Sequence, residues 1–128
     1  MCKANLKISH NNYLFRGIIE IKSGAAKGIV NISGFLVFPD KKEYTVQRTV
    51  LFTRSSYGVS PVWESNKIIV SNQETAPAES LRNLIPDFYL QSSEVTDVDI
   101  IPLDGNARLI TKAGVPYLYC NKHTLTSR

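Results

Sequence analysis

The feature that most constrains this chain is the shortness of the connections between its strand-like runs. "KANLKIS" (3–9), "YLFRGIIEIK" (13–22), "IVNISGFLVF" (29–38) and "YTVQRTVLFTR" (44–54) follow one another across turns such as "HNN", "SGAAKG" and "PDKKE". Each run alternates apolar and polar residues, the period of a strand with one buried face. A parallel crossover needs a dozen or more residues, and connections of roughly 3–7 residues do not supply them. The sheet must therefore be mainly antiparallel.

The alternation also assigns faces. Ala4, Leu6 and Ile8 share one side of the first run, and Phe15, Gly17, Ile19 and Ile21 one side of the second. Val30, Ile32, Leu36 and Phe38 follow in the third, and Tyr44, Val46, Val50 and Phe52 in the fourth. Gly34 in mid-strand predicts a bulge or a tight bend. A fifth run, "VWESNKIIVS" (62–71), has no clear register. Leu14, Ile18, Phe35, Val37 and Leu51 are apolar on the second face, so part of the outer surface is expected to be covered.

Between residues 75 and 90 the pattern changes. Leu81, Leu84, Ile85 and Phe88 fall at i, i+3, i+4 and i+7, a helical stripe. Pro77 suits a first turn, and Pro86 disfavours helix at Ile85, so a helix over about 77–85 is predicted. "EVTDVDIIPL" (94–103), "ARLITKA" (107–113) and "VPYLYC" (115–120) return to strands, the last placed at an edge by Pro116. The expected fold is α+β: a curled, mainly antiparallel sheet or partly open barrel of seven to eight strands with one short helix. Residues 2–123 form one domain and 124–128 a tail.

At 128 residues, with 43% hydrophobic and 20% charged content, the chain can bury a core as a single domain. Its net charge of +4 comes from scattered bases, Lys41-Lys42 being the only adjacent pair, so nucleic-acid binding is not expected. No run approaches a membrane span or a secretory leader. Met1 directly before Cys2 reads as a start placed where a leader or anchor has been removed.

Catalytic patterns are missing. There is no Gly-x-Ser-x-Gly elbow, phosphate-binding loop, dinucleotide glycine fingerprint or His-Glu-x-x-His helix, and no enzyme or cofactor is expected. Asp97 and Asp99 share one side of a strand, which reads as a solvated face opposite Val98 and Ile100. Cys2, His10, Cys120 and His123 are the ligand types of tetrahedral zinc but lack its two tight pairs. A Cys2–Cys120 disulfide suits the two terminal thiols better, closing nearly the whole chain into one loop worth about 4–5 kcal/mol in the chain-entropy model. Two buried free thiols in a reducing compartment are the alternative. Phe15, Phe38, Phe52, Trp63 and Phe88 either fill the core or line a ligand cavity between sheet and helix.

The segments "CKANLKIS", "GIVNISG", "YTVQRTVLFT", "LIPDFYL" and "VPYLYC", in that order and with cysteines at both ends, resemble the FidL-like family of bacterial inner-membrane proteins over residues 2–120. That resemblance implies a small periplasmic domain, tethered to the inner membrane by an anchor that this chain lacks. It implies no enzymatic activity and no cofactor. By analogy with accessory proteins of ToxR-like transmembrane transcription regulators, it implies pairing with the periplasmic domain of such a regulator. A small amphipathic ligand held in an apolar cavity is the alternative role.

Overall fold

The computed structural model describes residues 2–57, 60–97, 99–102, 107–112 and 115–121, with side chains described for 3–55 and 62–96. Five long strands come first: β1 (Cys2–His10), β2 (Tyr13–Ser23), β3 (Lys27–Val37), β4 (Glu43–Tyr57) and β5 (Ser60–Val70). A single helical turn, α1 (Ala78–Leu81), and a 3-10 turn at Asp87–Tyr89 follow. The chain then forms β6 (Val95–Asp97), β7 (Asp99–Pro102), β8 (Ala107–Lys112) and β9 (Val115–Asn121).

Every pairing given is antiparallel, in the order β6-β5-β4-β3-β2-β1-β9-β8-β7. The six strands β6 to β1 are chain neighbours laid side by side, and β9-β8-β7 extend them. The described sheet thus counts nine strands, where seven to eight were expected. The run 94–103 is divided: Val62–Glu64 pair with its first part, and Arg108–Thr111 with its second. β6 and β7 stand at opposite ends of the strand order yet are one residue apart in sequence. Two Cα steps span at most about 7 Å, so the sheet must curl until these ends approach each other. β9 is an interior member of this order, paired with both β1 and β8, not the edge strand that Pro116 suggested.

The alternation predicted for β1 to β4 is the alternation of burial. Phe15, Ile19, Ile21, Val30, Ile32, Leu36, Val46, Val50 and Phe52 are buried on one face. Arg16, Ser33, Phe35 and Gln47 lie on the other. Asn11 and Asn12, both at positive φ, close the β1–β2 hairpin with a two-residue loop, the conformation asparagine tolerates best.

β5 explains its own unclear register. Leu51 pairs with Lys67 and Phe52 with Ser65, leaving Asn66 as an extra residue. This bulge lets Ile68 and Trp63, an odd number of residues apart, both meet the core. There Trp63 stacks on Phe52, centroids 4.2 Å apart and planes 13° apart.

The helix is shorter than predicted. Its regular part ends at Leu81, and the amides of Leu84 and Ile85 both turn back to the Leu81 carbonyl. An isolated turn of this length gains little from propensity, and Pro86 prevents its extension. The stripe survives the interruption: Leu81, Leu84, Ile85 and Phe88 are all buried. Phe88 reaches both Phe52 and Trp63, at 6.0 and 6.3 Å between centroids.

A buried ion pair holds this cap to the sheet. Arg48 faces inward on β4 and donates to both carboxylate oxygens of Glu74; their side chains are 3% and 5% exposed. Its Nη1 also donates to the Tyr89 carbonyl, and the Gln47 amide donates to Glu74 Oε1. The loop around Glu74 continues the ladder that β5 leaves, because the amides of Thr75 and Ala76 reach the Thr45 carbonyl.

Candidate functional site

Among the described residues, those singled out by sequence do not assemble into one site. Phe15, Phe52, Trp63 and Phe88 are core residues at 0–2% exposure; the last three contact one another across the space between the sheet and the 78–90 segment. Phe38 is half-buried just past β3 and packs against Tyr13 and Tyr44. These rings are packed in or against the core.

The side chains of Cys2, Cys120, Asp97, Asp99 and His123 lie outside the described residues, and so does the 124–128 tail. The backbone nonetheless relates the cysteines, because Lys3 pairs with Asn121. Positions 2 and 120 therefore fall on one face of adjacent strands, on opposite sides of that pair. The same backbone separates the zinc set. β1 is continuous from Cys2 to His10, and eight strand steps put about 27 Å between them. Among the described residues no group of three or more His, Cys, Asp or Glu side chains could hold a metal ion. His10 sits exposed at the hairpin turn within hydrogen-bonding distance of Asn11 Nδ2, beside a dent of about 150 Å³ that also touches Glu79.

The larger feature is a groove of about 660 Å³ on the outer face of β1 to β4. Its floor is the backbone of a row of paired residues, Leu6–Gly17–Gly34–Val46, that crosses the four strands. A Cβ on Gly17 would overlap the Ser33 carbonyl and stand 2.9 Å from the Gly34 Cα. One on Gly34 would overlap the Arg16 carbonyl. Only glycine permits so close an approach on the core side. On the outer side, the rows before and after this one form two walls.

One wall carries Lys7, Arg16 and Phe35, and the other Ile18 between the amides of Asn5 and Gln47. Phe35 is 44% and Ile18 38% exposed, high for apolar residues in mid-strand. The Arg16 guanidinium lies over the Phe35 ring, 5.6 Å from its centroid, and reaches across it to Glu43 at 3.3 Å. Both members of that pair are about half exposed, so the bond is weak and its partner replaceable.

A second apolar cluster lies on the same outer face. Ile29 pairs with Leu51, and Ile69 stands opposite Thr49, two residues away along β4. Ile29 and Ile69 are 38% and 45% exposed. The row Glu20–Asn31–Thr49, which ends at Ile69 and in which Asn31 and Thr49 share a 2.7 Å hydrogen bond, lies between the Ile29–Leu51 pair and the groove.

Sequence reasoning reached only part of this arrangement. Phe35, Ile18 and Leu51 are visible as apolar residues on the wrong face, and Gly34 as a bend. That the groove's floor sets Gly34 opposite Gly17 is a matter of register that no local pattern reveals.

The fold and its outer face define a class: a curled antiparallel β domain, capped by one short helical segment, with an apolar groove on its exterior. Within that class the chain belongs to the YqeJ C-terminal domain family, whose model matches residues 2–120. Neither a curated protein nor a solved structure matches the chain. Among the described residues no helix is long and apolar enough to cross a membrane.

Proposed function

We propose that this domain is a non-enzymatic accessory or sensory module that works by docking a protein partner onto the outer face of its sheet. The carrying observation is the cluster of Ile29, Leu51 and Ile69 on a face that, left to solvent, would be polar. The partner class is the periplasmic part of a ToxR-like transmembrane transcription regulator. The FidL-like resemblance supports that choice, and the pairing of the first and last strands puts positions 2 and 120 on one face of adjacent strands; a Cys2–Cys120 disulfide, suited to an oxidising compartment, belongs to this reading. The same reading places the domain in the periplasm, as part of a protein tethered to the inner membrane. In it the sheet is a curled, partly open barrel, with β6 and β7 at the two ends of its strand order.

The test is co-purification with the periplasmic domain of a ToxR-like regulator from the same genome. Association is expected, and Ile69→Asp or Ile29→Asp should abolish it without unfolding the domain, since both side chains are exposed. Clean failure of the unmodified chain to associate at micromolar concentrations would sink the reading.

A further inference from the structure

We propose that the groove over the Gly17–Gly34 pair is a binding site for a free, monomeric amphipathic anion with a flat or single-chain apolar body. This goes beyond the docking reading and rests on different residues. Three observations carry it.

The first is size and shape. A volume of about 660 Å³ falls within the range of small-ligand sites. Four strands at about 4.8 Å spacing make the trough about 14 Å long, and its walls are side-chain rows whose Cα atoms stand about 7 Å apart, so the clear space between them is narrower still. An extended peptide with its side chains is too broad for such a slot; an alkyl chain or a fused-ring slab is not.

The second is the sign of the charge. Among the described lining residues Lys7 and Arg16 are the only ionised side chains, and none is a carboxylate. The remaining polar lining, such as Asn5 and Gln47, is neutral and able to donate hydrogen bonds. A cation finds no counter-charge here, and a neutral body leaves two ammonium- and guanidinium-bearing chains unused.

The third is the state of Arg16. Its carboxylate partner Glu43 lies outside the groove lining, and the pair is half exposed. A ligand carboxylate or sulfonate placed over Phe35 can take over the guanidinium while the ring of Phe35 and the side chain of Ile18 cover the apolar body. The exchange replaces one weak exposed pair by another that is partly desolvated.

The experiment uses the full chain with 8-anilinonaphthalene-1-sulfonate as the probe, followed by fluorescence and by amide chemical shifts. Saturable binding is expected, with shifts concentrated at Gly17, Ile18, Ser33 and Gly34. Laurate below its micellar concentration should compete, and the neutral dodecyl maltoside should not. Phe35→Ala, and the pair Lys7→Gln with Arg16→Gln, should each weaken binding at least tenfold with unchanged near-ultraviolet circular dichroism. Ile69→Asp should leave it unaltered, so loss of partner docking and loss of ligand are read separately. Shifts centred elsewhere, equal competition by the neutral detergent, or binding insensitive to these variants would each overturn the site. Attachment to phosphatidylglycerol vesicles without capture of monomeric laurate would overturn it in favour of a membrane surface.

Discussion

At the scale of single residues, the sheet depends on two positions that have no side chain and one pair that has two charges. Gly17 and Gly34 face each other across β2 and β3, and a Cβ on either would first meet backbone rather than a yielding side-chain tip. Gly17→Ala or Gly34→Ala should therefore destabilise the domain by about 1–3 kcal/mol, as overpacking does, seen as a lower urea midpoint at unchanged m. The mid-strand glycine predicted a bulge or a bend; the unbroken 17–34 register shows a close approach. Arg48 and Glu74 were not legible at all. Arg48 occupies an inward position of an alternating strand, and Glu74 sits in a loop 26 residues later, so nothing local links them. Their pairing removes both charges from water, and its loss leaves the survivor buried and alone. Glu74→Ala should cost about 3–5 kcal/mol, whereas Arg48→Met together with Glu74→Leu should recover most of it. A double-mutant cycle in urea measures the difference. Equal losses in the single and double variants would show that the hydrogen bonds to Gln47 and Tyr89, rather than charge pairing, dominate.

At the scale of elements, strand faces were legible because a period of two survives any curvature of the sheet. The exceptions have physical causes. β5 carries its apolar residues out of phase, and only the extra residue Asn66 brings Trp63 and Ile68 to the same face. Deleting Asn66 should turn Trp63 away from Phe52 and Phe88. Because the chain has a single tryptophan, the consequence is direct: emission should move to the red and quenching by iodide should rise. Unchanged emission would mean that the deletion is absorbed elsewhere and that the bulge does not set the register. The 78–90 segment teaches a related lesson. Its stripe predicted the buried residues but overstated the helix, because burial needs only that the side chains converge. A single turn, a reversal at Leu84–Ile85 and a 3-10 turn after Pro86 achieve that as well as a longer helix would.

At the scale of the whole molecule, the organising fact is that distant parts of the chain are brought side by side. The order of strands sets β9 beside β1, and the divided run 95–102 gives a strand to each end of the sheet. Such long-range pairings were beyond the sequence, which showed hairpins between neighbours but not which distant strands meet. The two terminal cysteines were the one hint, and the Lys3–Asn121 pair gives that hint a backbone: positions 2 and 120 occupy the same face of adjacent strands, diagonal to each other. Diagonal positions are farther apart than directly opposed ones, so the bridge we propose needs a local twist of the β1–β9 pair. If it forms, it closes nearly the whole chain, and the entropy lost by the unfolded state sets its worth near ~4–5 kcal/mol before any strain is subtracted. Intact mass after alkylation should then show no accessible thiol in denatured, unreduced protein. Cys120→Ser should lower the urea midpoint by an amount up to that figure, and adding reductant to the unmodified chain should reproduce the loss. Two alkylated thiols in protein handled under oxidising conditions would remove the bridge and, with it, the chemical argument for the periplasm; the β1–β9 pairing would then rest on its backbone hydrogen bonds alone.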